Sequence, residues 1–198
     1  MGDPQDVLFS PAVKAEQARL GSRAQFEGRS WQTGITPDLR RFLDAIDTFF
    51  FATASADGRP YVQHKGGPAG FLKPIGTHTL AFADFAGNRQ YITLGHLREN
   101  DRALIFIPHF ATRQRLKLWG RARIVEGDLE LMERLVDPAY KARPERAIVF
   151  TLEAWDVNCH QNIVARYSEA EIAPAVDKLV ARIKELEEEV ARLKGGGE

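Results

Sequence analysis

Six short β-prone segments, with only turns and short helices between them, constrain the fold of this chain more than any other feature. They are residues 49–55, 60–65, 79–84, 103–107, 115–125 and 146–155. A doubly wound parallel sheet would need a helix of roughly 10 to 15 residues after most strands, and such helices are missing here. The pattern therefore favours an antiparallel barrel, closed or partly closed.

Three of these segments carry additional signals. Asp57-Gly58 follows the first and predicts a hairpin turn to the second. Segment 103–107 is continuously apolar, which predicts a strand buried on both faces. Segment 115–125 alternates: Leu116, Leu118, Ala122 and Ile124 share one face, and Arg115, Lys117, Trp119, Arg121 and Arg123 share the other. A tryptophan among bases is typical of a ligand wall or a subunit interface.

Helical patterns flank the strands. Apolar residues at helical spacing, with proline in the first turn, predict helices over 10–20 and 36–46. Shorter helices are expected over 91–99 and 129–135. The expected domain layout is an N-terminal helical segment packed on the barrel (1–47), the barrel (48–167), a C-terminal helix (168–194) and a tail (195–198).

The C-terminal helix carries a strict heptad seam. Its apolar residues are spaced alternately four and three apart: Ile172, Val176, Leu179, Ile183, Leu186, Val190 and Leu193. Ser168 and Glu171 form a capping-box pattern, although Pro174 could move the start of the helix later. The seam predicts packing on the barrel of its own chain or pairing with a second subunit.

Composition excludes several classes of protein. The 27 basic and 27 acidic residues give a formal net charge of zero, whereas a dedicated nucleic-acid binder usually has a basic surplus. Hydrophobic residues make up 44% of the chain, which excludes disorder for its bulk. No run approaches the roughly 18 apolar residues of a membrane span, and no leader pattern opens the sequence. We therefore expect a cytoplasmic protein without membrane or nucleic-acid partners.

Familiar catalytic motifs are absent from the sequence, including HExxH, the P-loop, GxSxG and GxGxxG. The five histidines show no metal-ligand spacing, so we predict no metal site. The single cysteine, Cys159, excludes an internal disulfide and a multi-cysteine zinc site. Cys159 is either an inert thiol at a strand end or a nucleophile.

The zero net charge conceals a strongly basic central region. Between Arg59 and Val125 the chain has eleven bases and three acids, a surplus of eight positive charges that the rest of the chain balances. A concentrated basic surface in a protein that does not bind nucleic acid indicates an anionic small ligand, above all a phosphate.

Two places could contact such a phosphate. Asn88, Arg89 and Gln90 precede the predicted helix 91–99, where free backbone N–H groups and the Arg89 side chain could converge on one anion. Lys65, followed by two glycines, could reach another phosphate oxygen. An ordinary turn with a solvated arginine and an exposed hairpin end remain the alternatives.

Four stretches resemble the pyridoxamine 5'-phosphate oxidase-like family of FMN-binding split barrels. They are FFFATASADGRPYVQHKGGPAGFLKP (49–74), LAFADFAGNRQYITLGHLRENDRALIFIP (80–108), RQRLKLWGRARIVE (113–126) and WDVNCHQNI (155–163). The resemblance implies a mainly β fold, a six-stranded antiparallel split barrel, with the N-terminal helices and the long C-terminal helix added. It also implies a homodimer with FMN held at the interface by both subunits.

The resemblance also assigns cofactor contacts. They are Val62, Gln63, His64 and Lys65 on the second strand, Phe82 and Ala83 on the third, Asn88 and Arg89 at the phosphate, and Gln114 or Arg115 with Lys117 on a strand reaching over from the partner. Pro60 and Asn88 stand where the oxidases proper have arginines. His160-Gln161-Asn162 replaces a Pro-Gln-His loop, and the oxidases' C-terminal Trp/Arg substrate motif has no clear copy. These departures predict that the chain does not oxidise pyridoxamine phosphate.

Three functions remain open at this stage. The first is an FMN-dependent oxidoreductase acting on a small molecule, whose substrate pocket is bounded by Trp119 or Trp155 and by the loop that begins at Asn158, with Gln161 and Arg166 as further candidates. The second is a non-catalytic flavin-binding protein for stress or storage. The third is a haem-handling barrel, for which His160 is the candidate iron ligand.

Overall fold

The computed structural model of the protein describes residues 3–158 and 161–195. These residues divide into two units, one of residues 3–108 and 115–158, the other of residues 109–114 and 161–195. The first unit contains most of both the predicted N-terminal segment and the predicted barrel. No helix in the described ranges is long and apolar enough to cross a membrane.

One antiparallel sheet of seven strands dominates the structure. The strands are β1 (Thr48–Ala54), β2 (Pro60–Gly66), β3 (Lys73–Pro74), β4 (Thr79–Phe85), β5 (Arg102–His109), β6 (Gln114–Val125) and β7 (Pro144–Asn158), in the order β2-β1-β5-β6-β7-β4-β3. The sheet curls into an open barrel whose two end strands, β2 and β3, do not pair. The predicted split barrel is therefore confirmed. The seventh strand, β3, was missed because it has two residues, one of them a proline.

Within the described residues, six α-helices accompany the sheet. They are α1 (Pro4–Leu8), α2 (Pro11–Arg19), α3 (Pro37–Asp44), α4 (Ile92–Glu99), α5 (Leu129–Leu135) and α6 (Glu169–Gly195). The first three begin in the same way: Asp3, Ser10 and Thr36 accept a hydrogen bond from a first-turn N–H, and a proline follows the cap. Helix α1 has five residues and no apolar periodicity, so the sequence did not reveal it.

The main core is built from aromatic side chains. Phe49, Phe51, Phe82 and Phe150 are fully buried, and the rings of Phe49 and Phe82 meet edge to face at 5.1 Å between centroids. Helix α3 covers this cluster with the buried residues Leu39 and Leu43. The hydrophobic pattern that predicted α3 therefore marks the face that closes the core.

The strand buried on both faces is β4, not β5. Residues 80–84 of β4 are all buried, because α5 covers the face opposite the aromatic core with Leu131 and Leu135. In β5 only Ala103, Ile105 and Ile107 are buried, and the alternate residues Leu104 and Phe106 are half-buried. The prediction from the apolar run was thus wrong for the single chain, which leaves an apolar outer face on β5.

In the second unit, α6 begins where the capping box predicted. The Ser168 hydroxyl accepts a hydrogen bond from the backbone N–H of Glu171, and the Glu171 carboxylate accepts one from the N–H of Ser168 at 2.8 Å. The carboxylate also accepts a hydrogen bond from the Ser168 hydroxyl at 2.9 Å, and the two hydrogen bonds that it accepts from Ser168 lower the pKa of Glu171. Pro174 lies inside the helix and does not delay its start.

Gly120 provides a test of how tightly the sheet is packed. A bulge lies in the β6–β7 pairing after Trp119, and a Cβ on Gly120 would lie 2.1 Å from the carbonyl oxygen of Thr151. We expect Gly120→Ala to lower the free energy of unfolding in urea by about 2–3 kcal/mol through overpacking.

Gly95 in α4 is the matched control, because a Cβ there meets nothing within 4 Å. Gly95→Ala should leave stability unchanged or raise it by about 0.5–1 kcal/mol. Equal effects of the two substitutions would contradict the packing described for the bulge.

Candidate functional site

A polar depression lies where the open barrel leaves β2 unpaired on one side. Three inward-facing side chains of β2 line it, together with the loop before α4, the first turn of α4 and the ends of β4 and β7. The lining includes Tyr61, Gln63, Lys65, Asp84, Asn88, Arg89, Gln90, Tyr91, Thr93, Glu145 and Arg146. Residues two apart on a strand point to the same face, which is why β2 contributes Tyr61, Gln63 and Lys65 together.

The loop before α4 has an unusual backbone. Arg89 and Tyr91 have positive φ values of 60° and 54°, a conformation that non-glycine residues adopt rarely and mostly at functional sites. The side-chain oxygen of Asn88 accepts a hydrogen bond from the N–H of Gln90 at 3.3 Å. This arrangement turns the chain sharply into α4 and brings Asn88, Arg89 and Gln90 to its N-terminus.

The N-terminus of α4 has free hydrogen-bond donors. Its N-cap residue, Tyr91, makes no side-chain hydrogen bond to the helix, and the first N–H groups of any α-helix lack an intrahelical acceptor. Together with the partial positive charge of the helix end, such groups favour an anion. The Thr93 hydroxyl donates to Gln63 at 2.8 Å, which fixes the helix end against β2.

A buried ion network forms the floor of the depression. Asp84 accepts from the Lys65 ammonium at 2.5 Å with one carboxylate oxygen and from Arg146 at 3.1 Å with the other. The three side chains are only 9–12% exposed. Burial disfavours the charged form of Arg146, but the hydrogen bond and charge of Asp84, with the charge of Glu145, outweigh it and raise the pKa of Arg146.

The ion network crosses the opening of the barrel. Lys65 belongs to β2, the first strand in the sheet order, whereas Asp84 and Arg146 belong to β4 and β7 near the other end. Because β2 and β4 lie far apart in the sheet order, the side-chain contact joins strands that no backbone pairing joins. The cluster thus ties β2 to β4 and β7 at the floor of the depression.

The structure brings five of the predicted cofactor residues together: Gln63, Lys65, Asn88, Arg89 and Gln90 all line the depression. Val62 and His64 lie on the opposite face of β2, where the His64 ring stands edge-on to Phe50 at 5.9 Å. Alternation along the strand separates the four β2 residues into two pairs. The pair that faces outward does not reach the depression within one chain.

Phe82 and Ala83 are buried in the fold. The Phe82 ring belongs to the aromatic core, and Ala83 packs against α5. Within the chain their side chains make core contacts, so neither presents a side chain to a surface ligand.

The predicted residues on β6 face outward. Lys117 stands opposite Asp156 in the β6–β7 register, and its ammonium lies 5.2 Å from the centre of the Trp119 ring. Partial burial lowers the pKa of Lys117, as does the charge of Arg115, while Asp156 opposes the shift. Gln114 accepts a hydrogen bond from Thr112 at 3.2 Å. Arg115 and Lys117 thus lie on the outer face of β6 and do not line the depression.

The two tryptophans proposed as alternative pocket walls point to opposite faces of the sheet. The Trp155 indole N–H donates to the carbonyl of Gly34 at 2.8 Å, and its ring packs against the main core. Trp119 instead lines a cavity of about 640 Å³ between the N-terminal helices, the start of β5 and the middle of β6 and β7, beside Arg121 and Thr33. Trp119 is therefore the one of the two that borders open space.

The remaining substrate-pocket candidates lie near the end of β7 or after it. Asn158 is the last residue of β7. Gln161 is exposed, and in the second unit the guanidinium of Arg166 lies 5.1 Å over the Phe110 ring. Cys159 and His160 lie outside the described residues, so their predicted roles stay predictions. Within residues 3–158 and 161–195, no group of three or more His, Cys, Asp or Glu side chains could hold a metal ion.

Sequence reasoning missed several residues of the depression, among them Asp84, Arg146 and Thr93. Asp84 had been counted only as one of the few acids, Arg146 lay outside the basic region, and Thr93 carried no motif. Asp84 and Arg146 are direct partners in the β4–β7 register, so a correct strand pairing would have joined them. The sequence offers no local signal for that pairing, because the two residues are 62 positions apart.

Comparisons with known proteins bear on this fold and site. A family model described as pyridoxamine 5'-phosphate oxidase matches residues 35–159, more than half of the chain. No curated protein matches the sequence.

Several solved structures are similar to this chain. A point variant of HupZ from Group A Streptococcus is 15% identical with a TM-score of 0.51, over 63% of this chain and 99% of that one. General Stress Protein 26 of Bacillus anthracis is 10% identical with a TM-score of 0.44, over 60% and 89% of the two chains. A pyridoxamine 5'-phosphate oxidase-related, FMN binding protein of Nostoc punctiforme is 14% identical with a TM-score of 0.42, over 60% and 76%.

The ion network makes a prediction about stability. Asp84→Asn keeps the side-chain volume but leaves Lys65 buried without its anion, while Arg146 keeps its pair with Glu145 at 2.9 Å. We expect the free energy of unfolding in urea to fall by about 3–5 kcal/mol, the usual cost of breaking a buried ion pair.

Asp101→Asn is the matched control, because Asp101 pairs with Arg121 where both side chains are about half exposed. An exposed pair is worth about 0–1 kcal/mol. If the two variants lost equal stability, the central role given to Asp84 would be wrong.

Proposed function

The chain belongs to the pyridoxamine 5'-phosphate oxidase family, and we propose that it is a flavoprotein that binds FMN and uses it to oxidise or reduce a small molecule. The observation that supports this most directly is the polar depression at the opening of the barrel. Its donors converge at the N-terminus of α4, and several of its residues match the cofactor contacts that the family resemblance implies. The reaction and its substrate belong to the proposal as well.

The depression has the donors that a phosphate monoester requires. A terminal phosphate carries close to two negative charges and three acceptor oxygens, so it needs several donors from different directions. The first turn of α4 offers backbone N–H groups, Arg89 offers an exposed guanidinium, and Asn88 offers a side-chain amide. Lys65, Arg89 and Arg146 outnumber the acids Asp84 and Glu145 among the lining residues, so the local charge favours an anion.

Asp84 determines which cations of the depression remain available to a phosphate. It holds Lys65 and Arg146 in the floor with one carboxylate oxygen each, so neither is a free charge. Arg89 is exposed in the loop and makes the natural first contact with an incoming phosphate. We therefore assign the main charge-assisted contact to Arg89 and a supporting one to Lys65.

FMN, when bound, supplies reversible hydride and single-electron transfer. The chain's own residues bind and orient it: the depression holds the phosphate, and Gln63 lies beside it on β2. We propose that Gln114, Arg115 and Lys117 of a second copy complete the site. Lys117, whose pKa is lowered by burial, would offer a positive charge to the pyrimidine edge of the ring.

Flavin binding is tested by the visible spectrum of the purified protein and by titration with FMN and with riboflavin. Riboflavin has the same ring without the phosphate, so it isolates the contribution of the depression. We expect FMN to bind at least tenfold more tightly than riboflavin. A colourless protein that takes up neither compound would refute the proposal, and equal affinities would remove the phosphate assignment.

Turnover separates the oxidoreductase from a flavin-binding protein that performs no reaction. The holoprotein should oxidise NADH or NADPH in the presence of an electron acceptor, measured as loss of absorbance at steady state. Pyridoxamine phosphate should not be oxidised, because Pro60 and Asn88 replace arginines of the oxidases. A flavin-loaded protein inactive with every donor and acceptor pair would favour the binding function.

The phosphate assignment predicts a specific loss of affinity. Arg89→Ala should weaken FMN binding by about 1.5–3 kcal/mol, or about 10- to 150-fold, because a charge-assisted hydrogen bond is lost. Riboflavin affinity should not change. Arg123→Ala removes an exposed base of β6 outside the depression and should have no effect on either ligand; matching losses in both variants would argue against the assignment.

We also propose that the outer face of β1, β2 and β5 joins two copies of the chain. Phe50 pairs with His64 on one side and Phe106 on the other, and Val62 beside them is 58% exposed. Together with the half-buried residues of β5, these residues form the apolar outer face of the sheet. A second copy would bury it and would bring its own β6 residues toward the flavin.

A charge on the apolar outer face should weaken the dimer. Val62→Glu is expected to raise the dimer dissociation constant at least tenfold in sedimentation equilibrium, because a carboxylate would be buried without a partner. Leu129→Glu changes an apolar residue that is 78% exposed in α5 and should leave the constant unchanged. An unchanged dimer dissociation constant in Val62→Glu would show that this face is not the interface.

A further inference from the structure

The helix α6 exposes an apolar seam along its whole length. No residue of α6 is buried, and the seven seam residues are between 42% and 72% exposed. We propose that α6 pairs with α6 of a second copy as a parallel, two-stranded coiled coil. This contact is independent of the flavin site and of the apolar outer face of the sheet.

The residue types in the seam select two parallel strands. In heptad notation the a positions are Val176, Ile183 and Val190, all β-branched. The d positions are Ile172, Leu179, Leu186 and Leu193, three of them leucine. β-Branched residues at a with leucine at d favour a parallel dimer over trimers and tetramers. A helix that packs on the barrel of its own chain would not require β-branched residues at the a positions and leucine at the d positions.

The flanking positions are complementary between two parallel copies. In a parallel coil, each g residue faces the e residue five positions later on the other helix. Arg182 then faces Glu187 of the second copy, and Glu189 faces Lys194. The remaining pair is Ala175 with Val180, which explains an apolar residue that is 58% exposed beside the seam. All three pairs are favourable, and symmetry doubles each one.

An antiparallel pair would keep one kind of favourable charge pair, Arg182 with Glu189, and would lose the other. Antiparallel helices place e residues against e residues and g residues against g residues. With the seams aligned, Glu187 would face Val180 and Lys194 would face Ala173. Charged side chains would then lie against apolar ones at the edge of the seam, so the parallel arrangement fits better.

The rest of the helix is compatible with the coil. Pro174 is at an outward f position, where its missing N–H does not touch the partner. Arg182 pairs within the helix with Glu185 at 2.9 Å, but both side chains are more than 60% exposed. Such a pair is worth little, so Arg182 is free to pair across the coil. The 27 residues of α6 would extend about 40 Å, enough for three heptads.

Disulfide cross-linking of the full-length chain tests the proposal directly. In a background where Cys159 is replaced by serine, Ile172→Cys and Leu193→Cys place a thiol at each end of the seam. A disulfide requires Cα atoms within about 7 Å, which a parallel, in-register pair provides at both positions. We expect each variant to form covalent dimer under mild oxidation, at least tenfold more than Arg192→Cys, whose thiol lies on the outward face.

Each other outcome overturns the proposal. Equal yields from Leu193→Cys and Arg192→Cys would indicate random collision, and the absence of dimer from both seam variants would show that the seams do not meet in parallel. Dimer that forms only when Leu193→Cys is mixed with Val176→Cys would indicate an antiparallel pair. Because the readout is a disulfide at α6, it is unaffected by flavin binding or by dimerisation through the sheet.

A charge exchange provides a second, independent test. In the Leu193→Cys chain, Arg182→Glu sets two glutamates against each other in a parallel pair and should lower the yield of covalent dimer about threefold. Adding Glu187→Arg should restore it. Failure of the second substitution to restore the yield would overturn the parallel arrangement, because in an antiparallel pair Arg182 faces Glu189 instead.

Discussion

The contact of Asp84 with Lys65 and Arg146 is the interaction on which the geometry of the barrel opening depends. An open barrel has two edge regions with no backbone pairing between them, and here a buried carboxylate joins them through one lysine and one arginine. The aromatic core holds β1 and β4 together from inside, but it is non-directional. The ion network adds a fixed distance between β2 and the neighbouring parts of β4 and β7, and the depression lies beside the network.

Burying three charges is expensive, and a well-packed apolar cluster would often be as stable. What an ion network adds is position, because one carboxylate holds two cations at defined places. The N-terminus of α4, which Thr93 ties to Gln63, lines the same depression. A site for a phosphate needs such fixed donors, because donors that must reorganise on binding cost affinity.

Local signals predicted most of the fold, and the site only in part. Alternation placed the inward and outward residues of β6, and the capping pattern placed the start of α6 at Ser168. The loop before α4 was predicted from a glycine turn that precedes a helix. Arg146 was not, because its place beside Asp84 depends on pairing between distant strands. For the same reason the basic surplus overstates the unpaired positive charge, because β7, which lies beyond the counted region, supplies Glu153 to Arg121.

The wrong prediction for β5 and the exposed seam of α6 have the same physical cause, which is an apolar surface that a single chain does not cover. A continuous apolar run predicts burial on both sides, yet one face of β5 and every seam residue of α6 remain partly exposed in a single chain. Exposed apolar surfaces of this extent mark interaction sites in proteins. The two surfaces differ in kind, one a flat sheet face and the other a narrow heptad ridge, so one partner element could not cover both. A second copy of the chain offers a sheet face for the first and a matching helix for the second.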